Sequence, residues 1–351
     1  MYFFLLVFLQ AVISQLFSEK PAHLKDLEEL GYCVIPHVLS SEETESLYQR
    51  VWHEFIEKAW PSCRMDDRSN WKDAFPMHNK WGIFCGPAGQ IQVMWDLRQD
   101  PRIVDVFAQI WNTNELIVSM DGLSFMCPAE IREHYLEPWP HVDQFILRRQ
   151  DNVAHNNSPP IGFVSESSLK TGPYTIQGQF LFEDSFEGDG GFCCIPKSHL
   201  KFPEFSPELE ALDRQVYVST SGYLHNFFSH SVDESGNPYT PKQITAPRGS
   251  LILWDSRTVH WNQFPRKDRS YPKVRMVGYL SYVPKARLSN EDKALRRKAF
   301  EAGVSTGHNP AYPELKFTKD HMGKGFEHYL EDSIYTQPKI QLTPLGESLL
   351  E

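Results

Sequence analysis

The feature that most restricts this chain is a divided triad. His141 and Asp143 flank Val142, and the third member, His260, follows 117 residues later (260 − 143 = 117). Residues at i and i+2 of an extended strand point to one face, so His141 and Asp143 can converge on one ion while Val142 turns away. Two imidazoles and one carboxylate can hold one face of an octahedral ferrous ion and leave three positions open. The long separation is no obstacle if the intervening strands and loops build the rest of a barrel. Strand signals fall mostly after residue 115, between helical patterns. The expected fold is therefore mainly β with flanking helices around a double-stranded β-helix, a jelly roll of the cupin type. His260 would then arrive from a strand distant in sequence and near in space.

Alone, a His-x-acid motif says little, because 14 histidines and 45 acidic residues in 351 positions give about two such matches by chance. Its surroundings add specificity. Thr175 to Phe182 reads as a buried or half-buried strand, and an acidic turn from Glu183 to Gly191 closes it. Phe192-Cys193-Cys194-Ile195 is a short apolar strand, followed by the turn Pro196-Lys197-Ser198-His199. Pro247-Arg248-Gly249-Ser250 leads into a strand ending at Asp255-Ser256-Arg257, just before His260, and Val274 to Tyr282 forms another strand.

In this order of motifs the chain resembles the phytanoyl-CoA dioxygenase-like family of iron and 2-oxoglutarate oxygenases, from about Leu24 to about Pro310. The resemblance implies that His141, Asp143 and His260 hold Fe(II), that 2-oxoglutarate and O2 are cosubstrates, and that an arginine in the Val274 to Tyr282 strand pairs with the far carboxylate of 2-oxoglutarate. It implies oxidative decarboxylation to succinate and CO2 coupled to hydroxylation of an unactivated C–H bond. Related halogenases lack the carboxylate ligand, and Asp143 is present here. The chain departs from the family at Lys197, where glycine is usual, so that turn must avoid a positive φ or strain to reach it.

Arg275 shares a strand face with Val277, Tyr279, Ser281 and Val283, and a guanidinium among apolar neighbours calls for an anionic partner of two-pronged geometry. It is favoured over Arg269 and Lys273, which lie in the more polar approach to the strand. Gln177 and, less so, Gln179 are candidates for a hydrogen bond to the cosubstrate or a water. Trp139 and Trp261 flank the candidate ligands and could wall the pocket. His134, His155, His199, His225 and His230 read as surface or turn residues.

A chain with 41% hydrophobic and 23% charged residues suits one core of barrel size. Residues 18–351 are expected to form a single domain with helical decorations at both ends. The net charge of −10 and the lack of a Lys/Arg block argue against a nucleic-acid surface and for a small-molecule substrate. Residues 1–17 are apolar, too short for a confident membrane span and without the positive n-region of a signal peptide. A signal peptide, an arm packed on the domain and an upstream start codon all stay open, and membrane contact would run through this segment if at all. Secretory and cytoplasmic locations are equally compatible with the sequence, and the C-terminus lacks a peroxisomal signal. The six cysteines form no CxxC pair and no dense disulfide framework. Cys193 and Cys194 should face opposite sides of a strand. The loops Asp151 to Gly172 and Gly222 to Lys242 are candidate substrate selectors. Two other readings remain, a non-catalytic metal- or small-molecule-binding module and a zinc hydrolase using the same triad.

Overall fold

A computed structural model describes residues 20–75, 82–131, 138–143, 175–212, 217–311 and 339–351. The apolar segment 1–17, the loop 151–172 and the histidines 134 and 155 lie outside the described residues.

Local signals set the elements at the N-terminal end. Helix α1 (Ala22–Leu30) stops at Gly31, whose left-handed φ of 79° returns its N–H to Leu27 O, and β1 (Tyr32–Ile35) follows at once. Ser40 caps α2 (Ser41–Val51) in a reciprocal box. Its hydroxyl accepts from Glu43 N at 3.2 Å, and Glu43 returns a carboxylate to Ser40 N at 2.8 Å. After β2 (Ile83–Phe84) come α3 (Gln92–Arg98) and α4 (Pro101–Trp111), the latter opened by Asp100 and Pro101. The strands β3 (Leu116–Val118), β4 (Leu123–Met126), β5 (Ile176–Leu181) and β6 (Gly191–Cys194) precede a helical pair, α5 (Phe202–Leu212) and α6 (Tyr217–Ser229). Then come β7 (Lys242–Gln243), β8 (Leu251–Asp255), β9 (His260–Gln263), β10 (Arg275–Pro284), α7 (Asn290–Glu301) and α8 (Pro344–Leu350).

The strands form two antiparallel sheets. The larger runs β1-β8-β5-β10-β4-β2, with β3 also on β10, and the smaller runs β7-β6-β9. Alternation assigns the two faces of the larger sheet. Ile176, Phe180, Leu253, Met276 and Leu280 join a core with Trp52, Phe55, Trp95 and Phe107 of the helices. The opposite face gives Leu181, Ile252, Trp254, Val277 and Tyr279 to a second core, which Phe192 and Cys194 of β6 complete from the smaller sheet. The two sheets thus face each other across these side chains. The outer face of the smaller sheet packs Cys193, Ile195 and Trp261 against Phe202, Phe205, Leu224 and Phe228 of α5 and α6. Cys193 and Cys194 do face opposite ways.

One expectation needs correction. The stretch from Gly222 to Lys242 is helical as far as Ser229, so its first part is a packed element and not a loop. Its sequence Tyr217 to Ser229 holds no oppositely charged pair, and burial of Leu224 and Phe228 decides its state. Of the two outcomes open to the turn at Lys197, the structure takes the positive φ, at 66°, with the Lys197 amide donating to Leu30 O at 2.8 Å and its ammonium 3.2 Å from Asp233. Among the described residues no helix is long and apolar enough to cross a membrane.

Candidate metal centre and cosubstrate site

The short segment 141–143 reaches the edge of the smaller sheet and pairs with the start of β9. His141 N donates to His260 O at 3.0 Å and His260 N to His141 O at 2.9 Å, while Asp143 N donates to Ser256 O at 3.1 Å. Residues directly opposite in an antiparallel pair project to the same side. The two imidazoles accordingly lie with ring centroids 4.4 Å apart. Asp143, two residues on, returns to that side. His260 Nε2 is 3.2 Å from one Asp143 oxygen and His141 Nε2 is 3.7 Å from the other. One donor atom from each of the three residues lies within 4.8 Å of the others.

Both histidines are oriented by the same local device. Nδ1 of His141 lies 2.9 Å from Trp139 O, and Nδ1 of His260 lies 2.9 Å from Thr258 O. A carbonyl only accepts, so Nδ1 carries a proton in each ring and Nε2 is the atom turned toward Asp143 and the other ring. Burial, helped by the neighbouring His260 and opposed by Asp143, lowers His141 to about 4. Burial pushes Asp143 up, but the charges of His308 and His141 and the hydrogen bond from His260 more than offset this and hold its carboxyl well below the usual carboxylate range. Two imidazoles that present Nε2 and an ionised carboxylate are the donor types a ferrous ion takes.

The facing strand of the larger sheet supports this centre. Gln177 on β5 donates from Nε2 to Asp143 at 3.0 Å, and Gln179, on the same face, accepts from Arg275 at 3.2 Å. Arg275 is buried, and its other donors go to Ser124 at 2.6 Å and Asn262 at 2.8 Å. Its partners are all neutral oxygens. Arg269 instead grips Glu130 and lies 3.4 Å from Asp189, while Lys273 lies 3.2 Å from Asp189. Of the three cations weighed from the sequence, Arg275 alone is buried without a carboxylate partner among the described residues. Gln177 Oε1, Gln179 Nε2 and Arg275 Nε are among the buried polar atoms that lack a hydrogen-bond partner within the described residues. Orphaned polar atoms on the strand face opposite the triad fit a site that takes a polar ligand.

Of the two tryptophans expected at the wall, Trp261 turns away, because it follows His260 in a strand and packs on the outer face. Trp139 also leans on that outer cluster and on Phe264. The aromatic rings beside His260 are Phe192, at 5.6 Å, and Trp254, at 5.2 Å. His199 is a turn residue, as expected, but a buried one, whose Nε2 meets Glu28 O at 3.0 Å. His225 and His230 lie on and just after α6, away from the triad, and His230 Nδ1 bonds Asn226 O.

Sequence reasoning missed Asn262, although the i+2 rule that joins His141 to Asp143 also puts Asn262 beside His260. It missed Ser124 and His308 because nothing local links them to the triad.

The profile of the family described as phytanoyl-CoA dioxygenase (PhyH) matches residues 27–261. Among curated proteins, the chain is 25% identical over 284 residues to Ava biosynthesis cluster protein O of Aspergillus versicolor, covering 79% of this chain and 82% of that one. Among solved structures it is similar to HygX from Streptomyces hygroscopicus with nickel, 2-oxoglutarate and hygromycin B bound, at TM-score 0.46 and 16% identity over 76% of this chain and 88% of that one. It is also similar to the non-haem α-ketoglutarate-dependent epimerase SnoN from nogalamycin biosynthesis, at TM-score 0.45 and 14% identity over 74% and 81%.

Proposed function

The chain belongs to the phytanoyl-CoA dioxygenase family of non-haem iron, 2-oxoglutarate-dependent dioxygenases, and on that footing we propose that it hydroxylates an unactivated C–H bond of a small organic substrate. His141, Asp143 and His260 hold the iron, and Arg275 holds the distal carboxylate of 2-oxoglutarate. The two facing sheets are then the halves of a jelly roll, with the reacting centre between them.

The observation that carries this reading is the pairing of two features in one space. Three donors converge on the edge of the smaller sheet, and a buried guanidinium whose partners among the described residues are all neutral lies on the facing sheet. A buried cation without a counter-ion is costly, and a dicarboxylate supplies what is missing. A hydrolytic metal centre would leave Arg275 without a role.

When bound, the ferrous ion with 2-oxoglutarate and dioxygen supplies the oxidising chemistry, releasing succinate and CO2. The protein's own groups do the rest. The Trp139 and Thr258 carbonyls fix the tautomers of the two histidines. Gln177 orients Asp143 and helps keep it ionised. Ser124, Gln179 and Asn262 aim the Arg275 fork, so the cosubstrate meets a preset donor array. Phe192 and Trp254 shield His260 from water. Among the described residues no charged side chain bonds Arg275, which leaves its charge for the ligand.

Small molecules that raise succinate release above the substrate-free rate identify the substrate, and turnover under isotopically labelled dioxygen then tests the chemistry. Hydroxylation predicts one labelled oxygen in the product and one in succinate. An unlabelled, desaturated or epimerised product would contradict it.

A further inference from the structure

The inner face of the larger sheet carries one more polar group beside the triad. Trp254 of β8 stands directly opposite Gln177 of β5 on one side and Tyr32 of β1 on the other. Residues paired in this way project to the same side of a sheet, with Cβ atoms about 5 Å apart. The Trp254 ring lies 5.2 Å from the His260 ring and 4.6 Å from Phe192. In the sheet order β8 and β10 flank β5 on opposite sides, so Trp254 and Arg275 lie to either side of the two glutamines. A cosubstrate that runs from the triad to Arg275 takes the β10 side. The β8 side is left to a second ligand.

Two buried polar atoms on that side have opposite needs. Gln177 donates Nε2 to Asp143 at 3.0 Å, and because a carboxylate only accepts, the amide is fixed with Oε1 as its remaining acceptor. The Trp254 indole N–H only donates. Trp254 is 4% exposed and Gln177 3%. Neither Trp254 Nε1 nor Gln177 Oε1 has a hydrogen-bond partner among the described residues, and both atoms are closed to solvent. Each such unpaired group costs about 1–3 kcal/mol. The 2-oxoglutarate dianion carries acceptors only, so it can answer Gln179 Nε2 and Arg275 Nε but not Gln177 Oε1.

We propose that Trp254 Nε1 and Gln177 Oε1 form a subsite for a hydroxyl group of the primary substrate, with Trp254 as a specificity-determining residue. The inference rests on the oxygenase reading above. A hydroxyl accepts from the indole and donates to the amide oxygen, and it is the smallest organic group that does both. A ketone or carboxylate would answer Trp254 and leave Gln177 unpaired, and an ammonium would do the reverse. The rings of Phe192 and Tyr32, which belong to the same inner layer, suit the carbon frame that carries the hydroxyl. Tyr32 is held at its rim by Lys242, whose Nζ lies 3.2 Å from the phenol oxygen.

The test reads the indole N–H directly. Full-length protein labelled at the tryptophan indole nitrogen, loaded with 2-oxoglutarate and with zinc as a diamagnetic stand-in for ferrous iron, is titrated with ethanol, isopropanol, cyclohexanol and phenol. The resonance missing from Trp254→Phe is followed, and affinities are taken by calorimetry. Cyclohexanol should move that resonance downfield and bind about tenfold more tightly than cyclohexanone, which cannot donate to Gln177. Trp254→Phe keeps an aromatic ring and removes the N–H, and should weaken cyclohexanol binding by about tenfold. Gln177→Leu, at saturating metal, should abolish the preference for cyclohexanol over cyclohexanone. A Trp254 that served only as an apolar wall would leave cyclohexanol affinity equal in wild type and Trp254→Phe, and that result overturns the proposal. So does a resonance that none of the four alcohols moves, the outcome of an ordered water only. The anaerobic absorption band of ferrous iron with 2-oxoglutarate separates the two readings. Its absence from folded wild type sinks the oxygenase reading and this inference with it, whereas a band without any response to the alcohols sinks this inference alone.

Discussion

Each proposed metal histidine donates Nδ1–H to the carbonyl two residues before it, so the lone pairs needed for an ion are set before any ion arrives. This has a consequence in acid. His141 is held at about 4, below its ordinary value near 6.5, so the unfolded chain binds the proton more readily than the folded one. Without metal, stability should be complete above about pH 6.5 and fall as pH drops toward about 4, with the depressed Asp143 adding a further loss below its ordinary range. Denaturant melts between pH 7 and 4 should show this slope, and His141→Ala should flatten its upper part. Gln177→Leu removes the amide that donates to Asp143. It should weaken iron binding by roughly 10–100-fold with circular dichroism unchanged, and anaerobic iron titration reads this directly. The triad and Arg275 were legible because a strand's two-residue period turns spacing into direction. Ser124 and His308 were not, since their place depends on β4 pairing with β10 and on the bond from Arg296 to Pro310 O.

The elements divide in the same way. The capping box at Ser40, the stop at Gly31 and the Ser289 cap of α7 are set locally, each satisfied within a few residues. Helix α6 is not, because its state is decided by packing on a sheet. Gly31 does more than end a helix. Its carbonyl accepts from Asp255 N at 2.9 Å and Thr258 Oγ at 2.8 Å, in the turn that delivers His260. A Cβ there would come within 2.4 Å of His199 and 2.5 Å of Thr258, at a φ that L residues rarely adopt. Gly31→Ala should therefore cost about 2 kcal/mol or more of stability and reduce iron affinity together with it, as thermal melts and metal titration on one sample would show. Behind β9, Trp261 fills the gap between the smaller sheet and α5. Trp261→Ala should cost about 3–5 kcal/mol, measured by urea unfolding.

For the molecule as a whole, the architecture places chemistry at a junction. The smaller sheet brings the three donors, the larger sheet brings Gln177, Gln179 and Arg275, and an apolar layer holds the two together. Ligands that bridge such a junction stabilise the folded state through linkage. Ferrous iron with saturating 2-oxoglutarate should raise the melting temperature, with a gain of roughly 2.7 kcal/mol at a hundredfold excess over Kd. Arg275→Ala should lose the part of that shift due to 2-oxoglutarate while keeping the part due to metal. The paired sheets followed from the order of strand signals in the sequence, but their strand order and the covering of one sheet by α5 and α6 did not, because both are properties of non-local pairing. The central claim is that His141, Asp143 and His260 hold a ferrous ion that 2-oxoglutarate completes. Anaerobic titration with ferrous iron and 2-oxoglutarate, watched for the visible metal-to-ligand charge-transfer band, tests it most directly. The account predicts the band in wild type and its loss in folded His141→Ala and His260→Ala; a band of equal strength in those variants, or none in folded wild type, would contradict it.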